Sequence, residues 1–180
     1  ASVDYDDGAG QLCAFTAPDV YVDPSIPQEC LDEGCGFSNN PFKTITRTLE
    51  MINATDSNPI IIHLAADTYS PETGESFPIN MISNVNIEGE DEDTTILDAM
   101  QTGGVITMEY CDNNTISNLT ITGGNTSSYG GGMYLWESNP TLTHVTISNN
   151  TAGWGGAGMY LSESNPILTD VTIINNTSDH

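Results

Sequence analysis

At 180 residues the chain can enclose one sizeable core, and 25 acidic side chains against only Lys43 and Arg47 give it a net charge of -23. A surface this acidic repels nucleic-acid phosphates and anionic membranes, so neither is expected as a partner. No run of sequence approaches the ~20 consecutive apolar residues that span a bilayer, so membrane insertion is not expected either.

The charge serves solubility, and calcium is the one cofactor that hard carboxylate oxygens would suit; no other cofactor is expected. The chain opens on "ASVDYDDG", with neither Met nor a basic leader. That is how an exported protein reads after its signal is removed, which sets the expected location outside the cell. "DYDDG" lacks the alternating ligand spacing of a calcium loop.

Residues 1–18 have no apolar period and read as an arm. "DVYVD", 19–23, alternates as a short strand does, and Pro24 and Pro27 end it. The four cysteines, Cys13, Cys30, Cys35 and Cys111, form an even set in an exported chain. The expected disulfides are Cys30 with Cys35, closing "CLDEGC", and Cys13 with Cys111, tying the arm to the body. A zinc site is disfavoured because the set contains no CxxC pair. In "NNPFKTITRTLEMINA", Phe42, Ile45, Leu49 and Ile52 recur at helical spacing, Asn40 is placed to cap and Pro41 to sit in the first turn. This segment, within 19–58, predicts a helix that carries both basic residues and caps the strand-rich remainder of the chain.

From residue 59 to 180 the pattern changes to short β-branched runs between Gly, Asn, Asp and Pro: "IIIHLA", "FPINM", "NVNIEG", "TTILDA", "GVITM" and "NTISNLTIT". Residues 133–151 then recur almost unchanged at 159–177, a period of 26, and "ISNLTITGG" extends the same offset backwards. A period in this range marks a solenoid, whose units bury their apolar faces only against one another. The Leu-dense consensus and helical side of leucine-rich repeats are missing. Three short faces and three corners per unit instead describe coils of a parallel β-helix stacked about 4.8 Å apart.

Alternation points Val145 and Ile147 inward over Leu119 and Ile121 and under Val171 and Ile173, with Thr120, Thr146 and Thr172 stacked outside. Met133, Leu135, Met159 and Leu161 join the core, leaving Tyr134, Trp136 and Tyr160 exposed. Gly130, Gly131, Gly132, Gly155, Gly156 and Gly158 supply one corner. The pairs Asn149/Asn150 and Asn175/Asn176 supply another, where asparagine tolerates positive φ and its amides can ladder.

With these residues in view, "VYVDPS…NNPFKTITRTLEMINA…IIIHLAADTY…FPINMISNVNIEGEDEDTTILDA" resembles the N-terminal region of an uncharacterised family of bacterial surface β-helix proteins of the pectin-lyase-like superfold. "ISNNTAGWGGAGMYL" is similar to repeats of right-handed β-helix surface proteins, including chlamydial polymorphic outer-membrane autotransporters. The resemblance covers 19–177 and implies an all-β, right-handed parallel β-helix with an N-terminal capping helix. It implies no single function, since the superfold serves lyases, hydrolases, adhesins and phage spikes alike.

Pectate-lyase chemistry needs a basic residue on the solenoid wall, whereas Lys43 and Arg47 fall in the predicted helix. Glu137 and Glu163 imitate the carboxylate pair of a glycosidase by sharing one repeat position, but duplication alone explains that. His144 and Asp170, with Asn118 below, form an outward polar column, and His63 reads as a satisfied histidine of the sheet. The outward threonines also suggest an ice-binding array, whose regularity decays within three coils. Seven Asn-x-Ser/Thr sequons, at Asn53, Asn113, Asn118, Asn125, Asn149, Asn175 and Asn176, mostly coincide with turn asparagines. No catalytic or metal-binding residue is assigned.

Tyr134, Trp136, Trp154 and Tyr160 are the candidate ligand residues, a stacking strip for sugar rings. The expectation is a non-enzymatic extracellular scaffold, structural or adhesive, able to associate with itself through an open C-terminal coil and stack into filaments. The alternative is a carbohydrate-binding or carbohydrate-active module.

Overall fold

The computed structural model describes residues 17–28 and 34–179. Its elements in chain order are β1 (Asp19–Val22), α1 (Ile45–Met51), β2 (Ile60–Leu64), β3 (Thr68–Tyr69), β4 (Ile79–Asn80), β5 (Val85–Gly89), β6 (Ile96–Asp98) and β7 (Ile106–Glu109). There follow β8 (Thr115–Thr122), β9 (Asn125–Thr126), β10 (Met133–Trp136), β11 (Thr141–Ser148), β12 (Thr151–Ala152), β13 (Met159–Ser162), β14 (Ile167–Ile174) and β15 (Thr177–Ser178).

Every pairing between these strands is parallel. The largest sheet runs β1-β2-β5-β8-β11-β14, with β3 and β6 joined to it; the second runs β13-β10-β7-β4 and the third β15-β12-β9. Each sheet thus takes one strand from each successive turn of the chain, which is a β-solenoid of about 5 coils of ~26 residues.

The repeat sets the register. Val145 lies between Leu119 and Val171, Ile147 between Ile121 and Ile173, and Met133 against Met159. Inward side chains therefore stack in columns of like shape, and Leu119, Ile121, Met133, Leu135, Leu142, Val145 and Ile147 are fully buried. Each such side chain contributes roughly 1.5–3 kcal/mol of burial. The columns fade in the last coil: Ile173 is 49% exposed and Leu161 46%, so the expectation that both are core is corrected. No further strand lies over them among the described residues to complete the enclosure.

Strict alternation fails inside the long strands, and the reason is a kink. Asn118, His144 and Asp170 hold φ of 56°, 50° and 51°, and the ladders skip these three positions. The kink spaces two inward residues three apart, as in Leu142 and Val145, so one strand serves two faces of the coil. A second column of positive φ runs through Tyr110, Glu137 and Glu163, and a third through Asn149 and Asn175.

At that third corner the neighbouring asparagines form a ladder. The Asn150 amide donates to the Ile121 carbonyl (3.1 Å) and to Asn176 Oδ1 (3.0 Å), while its own oxygen accepts from Gly124 N–H (2.8 Å). One coil on, Asn176 repeats the pattern by donating to the Ile147 carbonyl at 2.8 Å. The glycine corner is only partly what its composition predicts. Gly130, Gly155 and Gly156 take positive φ, but Gly131 and Gly132 do not. A Cβ on Gly131 would meet the Thr151 carbonyl at 2.4 Å, so close approach of backbones from adjacent coils excludes a side chain there.

The helix is shorter than predicted and differently capped. Its N-cap is Thr44, whose hydroxyl accepts from Arg47 N–H at 3.2 Å, and the buried Glu75 carboxylate accepts from Ile45 N–H (2.6 Å) and Thr46 N–H (3.1 Å). Asn40 instead donates to the Gly34 carbonyl. Phe42 is extended beside β1, donating to the Tyr21 carbonyl and accepting from Asp23 N–H, and this pairing holds residues 42 and 43 out of the helix. Lys43 accordingly precedes α1, and Arg47 alone lies within it, paired with Glu50 at 3.0 Å. The helix packs against β1 and β4.

Cys111 is a free, buried thiol whose Sγ donates to the Met81 carbonyl at 3.2 Å, so the expected Cys13–Cys111 disulfide is corrected. The Cys111 side chain turns into the core between coils, and burial pushes its thiol pKa up. Cys35 is disulfide-bonded, but the expected pairing with Cys30 falls outside the described residues, as do Cys13 and the "DYDDG" stretch.

Candidate functional site

The second sheet carries the aromatic residues. In β10, Met133 and Leu135 point into the core, which turns Tyr134 and Trp136 outward. Register then places Tyr160 beside Tyr134 on one side and Thr107 on the other, with Trp136 beside Glu109. The Tyr134 and Tyr160 rings stack at 5.5 Å with 14° between their planes.

Two tyrosines from the flanking turns extend this group. Tyr129 meets Tyr160 at 4.4 Å, and Tyr110 meets Trp136 at 6.3 Å. Tyr134 and Trp136 stand two residues apart on the outward side of β10, which puts both groups on one face, and desolvation raises the Tyr134 phenol pKa. Tyr134 and Tyr160 are half-buried by their neighbours rather than exposed, which corrects the expectation for both; Trp136 is 40% exposed and Tyr110 62%.

Trp154 does not share this face. It lines a depression on the third sheet with Asn125, Thr126, Ser127, Thr151, Gly153 and Asp179. The predicted strip of four is therefore divided: Tyr134, Trp136 and Tyr160 come together, and Trp154 lies elsewhere. Tyr110 and Tyr129 were not legible as members. The coil spacing between Cys111 and Ser138 is 27, one more than the repeat, which hides the equivalence of Tyr110 with Glu137.

Glu109, Glu137 and Glu163 border the rings and are all exposed. Glu137 and Glu163 occupy the same turn position in successive coils, each with positive φ. His144 Nε2 lies 3.5 Å from Asp170 Oδ2 on the kink of the first sheet, open to solvent.

A second cluster sits on the outward face of the first sheet. His63 lies in register between Tyr21 and Glu88, stacked on Tyr21 at 4.9 Å. Its Nε2 is 2.9 Å from Asp19 Oδ1 and its Nδ1 3.3 Å from Glu88 Oε2. The ring thereby ties β1, β2 and β5 together across the sheet and faces a cleft of about 500 Å³ whose wall includes Glu90 and Asn118. Among the described residues, no three His, Cys, Asp or Glu side chains group so as to hold a metal ion.

A parallel β-solenoid with a ring-lined outer face is the class this geometry defines. The chain belongs to the family described as "Protein of unknown function (DUF1565)", which it matches over residues 30–179. Among solved structures it is similar to a crystal structure of an aspartate-to-alanine mutant of pectin methylesterase in complex with a hexasaccharide. The TM-score is 0.60 at 14% identity, over 88% of this chain and 50% of that one. The chain thus spans about half the length of that structure, and the likeness is one of fold. No curated protein matches it.

Proposed function

We propose that the chain is a non-enzymatic extracellular β-solenoid scaffold that adheres to glycans through the aromatic face of its second sheet. The observation that carries this reading is the gathering of Tyr110, Tyr129, Tyr134, Trp136 and Tyr160 on one outward face of a sheet whose strands β4, β7 and β10 turn fully buried side chains inward. A rigid backing costs a ligand little ordering, and aromatic faces stack on the apolar faces of sugar rings. The pectin methylesterase of similar fold was solved with a hexasaccharide bound, which supports the reading.

Trp136→Ala is expected to weaken binding to responsive glycans about ten-fold, equivalent to about 1.4 kcal/mol, with unfolding unchanged. A glycan array followed by calorimetry on the hits tests this, and binding indifferent to the substitution would contradict the assignment.

A second reading, self-stacking into filaments, is favoured by a different observation. Leu168 and Ile173 are 46% and 49% exposed, whereas their counterparts one coil earlier, Leu142 and Ile147, are fully covered. A second copy would bury this rung by adding a parallel strand. Ile173→Glu places a charge there and should convert any concentration-dependent association seen in sedimentation to a monomer; association that survives it excludes this rung.

A further inference from the structure

We propose that the glycan taken by the aromatic face is a chain of uncharged sugars and not a polyuronate. This rests on the glycan-binding reading above and names the class of ligand.

Among the described residues, the charged side chains that border the rings are all carboxylates. Glu109 sits opposite Trp136 in the ladder, Glu137 follows Trp136 in the chain, and Glu163 repeats Glu137 one coil on. None of these three side chains has a hydrogen-bond or ion-pair partner among the described residues, so all are free to accept. The only Lys and Arg of the chain, Lys43 and Arg47, belong to the α1 region, and Arg47 is already paired with Glu50.

Without a bridging divalent cation, recognition of a polyuronate calls for Arg forks or Lys charges that neutralise its carboxylates, and among the described residues this face has none. A uronate carboxylate drawn toward Glu109 would meet a like charge, a repulsion that grows about four-fold where water is partly excluded. The net charge of -23 adds long-range repulsion at low salt. An uncharged pyranose meets the opposite situation. Its C–H face lies on Trp136 or Tyr110, and its hydroxyls donate to the bordering carboxylates in charge-assisted bonds. The fold is shared with a pectin-acting enzyme, yet the charge on this face selects against a pectate-like chain.

The test titrates the full chain with cellohexaose, laminarihexaose and hexagalacturonate at low and at high ionic strength. Wild type, Trp136→Ala, Tyr110→Ala and the double variant Glu109→Lys/Glu137→Lys are compared, with circular dichroism confirming the fold of each. The expected result is binding of an uncharged hexasaccharide that falls about ten-fold in Trp136→Ala. Hexagalacturonate should not bind wild type at either ionic strength and should gain salt-sensitive binding in the double Lys variant.

If wild type binds hexagalacturonate as well as the uncharged chains, and Trp136→Ala removes that binding, the ligand class is overturned while the aromatic face stands. If no uncharged hexasaccharide binds, or if Trp136→Ala and Tyr110→Ala leave binding unchanged, the glycan-binding reading itself falls and this inference with it.

Discussion

Replacing Asn150 with alanine should lower the unfolding free energy by about 2–4 kcal/mol, since each buried polar group left without a partner costs roughly 1–3 kcal/mol. Asn150 is fully buried, and its side chain accepts from the Gly124 N–H, donates to the Ile121 carbonyl and meets Asn176 above. Alanine removes these partners at a corner closed off from solvent by the backbone of the adjacent coils. Asn176 donates to the Ile147 carbonyl and accepts from the backbone and side-chain amides of Asn150, but it is half-exposed, so water can substitute in these bonds. Asn176→Ala should therefore cost only about 1 kcal/mol. Urea unfolding of the two variants separates them, and equal losses would show that burial does not govern the ladder.

The second large effect is alkaline. Tyr69 is fully buried in the core, its hydroxyl placed to donate to the Val22 carbonyl (3.0 Å) or the Ala65 carbonyl (3.1 Å). Burial first, then Asp23, Asp67 and Glu75, push its phenol far above the usual range. The folded state keeps this proton while the unfolded chain releases it near pH ~10, so the unfolded state binds fewer protons and stability falls as pH rises. The contribution is whole below pH ~10 and is lost above it at up to about 1.4 kcal/mol per pH unit.

The buried Cys111 thiol, raised in the same direction, begins the decline from the ordinary thiol range. Tyr69→Phe should cost about 1 kcal/mol at neutral pH through the lost hydrogen bond, and should flatten the slope beyond pH ~10. Unfolding free energies of both proteins from about pH 8 to about pH 11.5 test this; an unchanged slope in Tyr69→Phe would contradict it.

The solenoid was legible because duplication writes the register directly: Val145 over Leu119 and Met133 beside Met159 follow from a shift of one period. The corner asparagines were legible for a related reason, since paired Asn at a fixed offset suits both positive φ and an amide ladder. The kink at Asn118, His144 and Asp170 was not, because asparagine, histidine and aspartate, although enriched at positive φ, are equally ordinary as outward polar residues of a half-exposed strand. The division of labour among the glycines was equally hidden. Gly130 is needed for its φ and Gly131 for a neighbouring coil's carbonyl, a contact that exists only after stacking.

Long-range chain partners explain the remaining differences. Glu75 accepts the first helix amides from 30 residues away, which no local capping pattern around Asn40 could reveal. The aromatic face was half legible: alternation in β10 turned Tyr134 and Trp136 outward, while Tyr110 arrives from a turn one residue out of step with the repeat and Tyr129 from a turn whose counterpart one coil on is Gly155. Trp154 lines the depression beside the third sheet, a placement that alternation within β10 does not reach.

The most direct test of successive coils is chemical cross-linking in register. In a Cys111→Ser background, the pair Thr146→Cys and Thr172→Cys occupies facing positions on β11 and β14. Parallel strands about 4.8 Å apart bring such residues within disulfide range. Stacked coils predict rapid oxidation of this pair under mild conditions and none for Thr143→Cys with Thr172→Cys, which are out of register. Oxidation of the second pair in preference to the first would contradict the stacked-coil architecture.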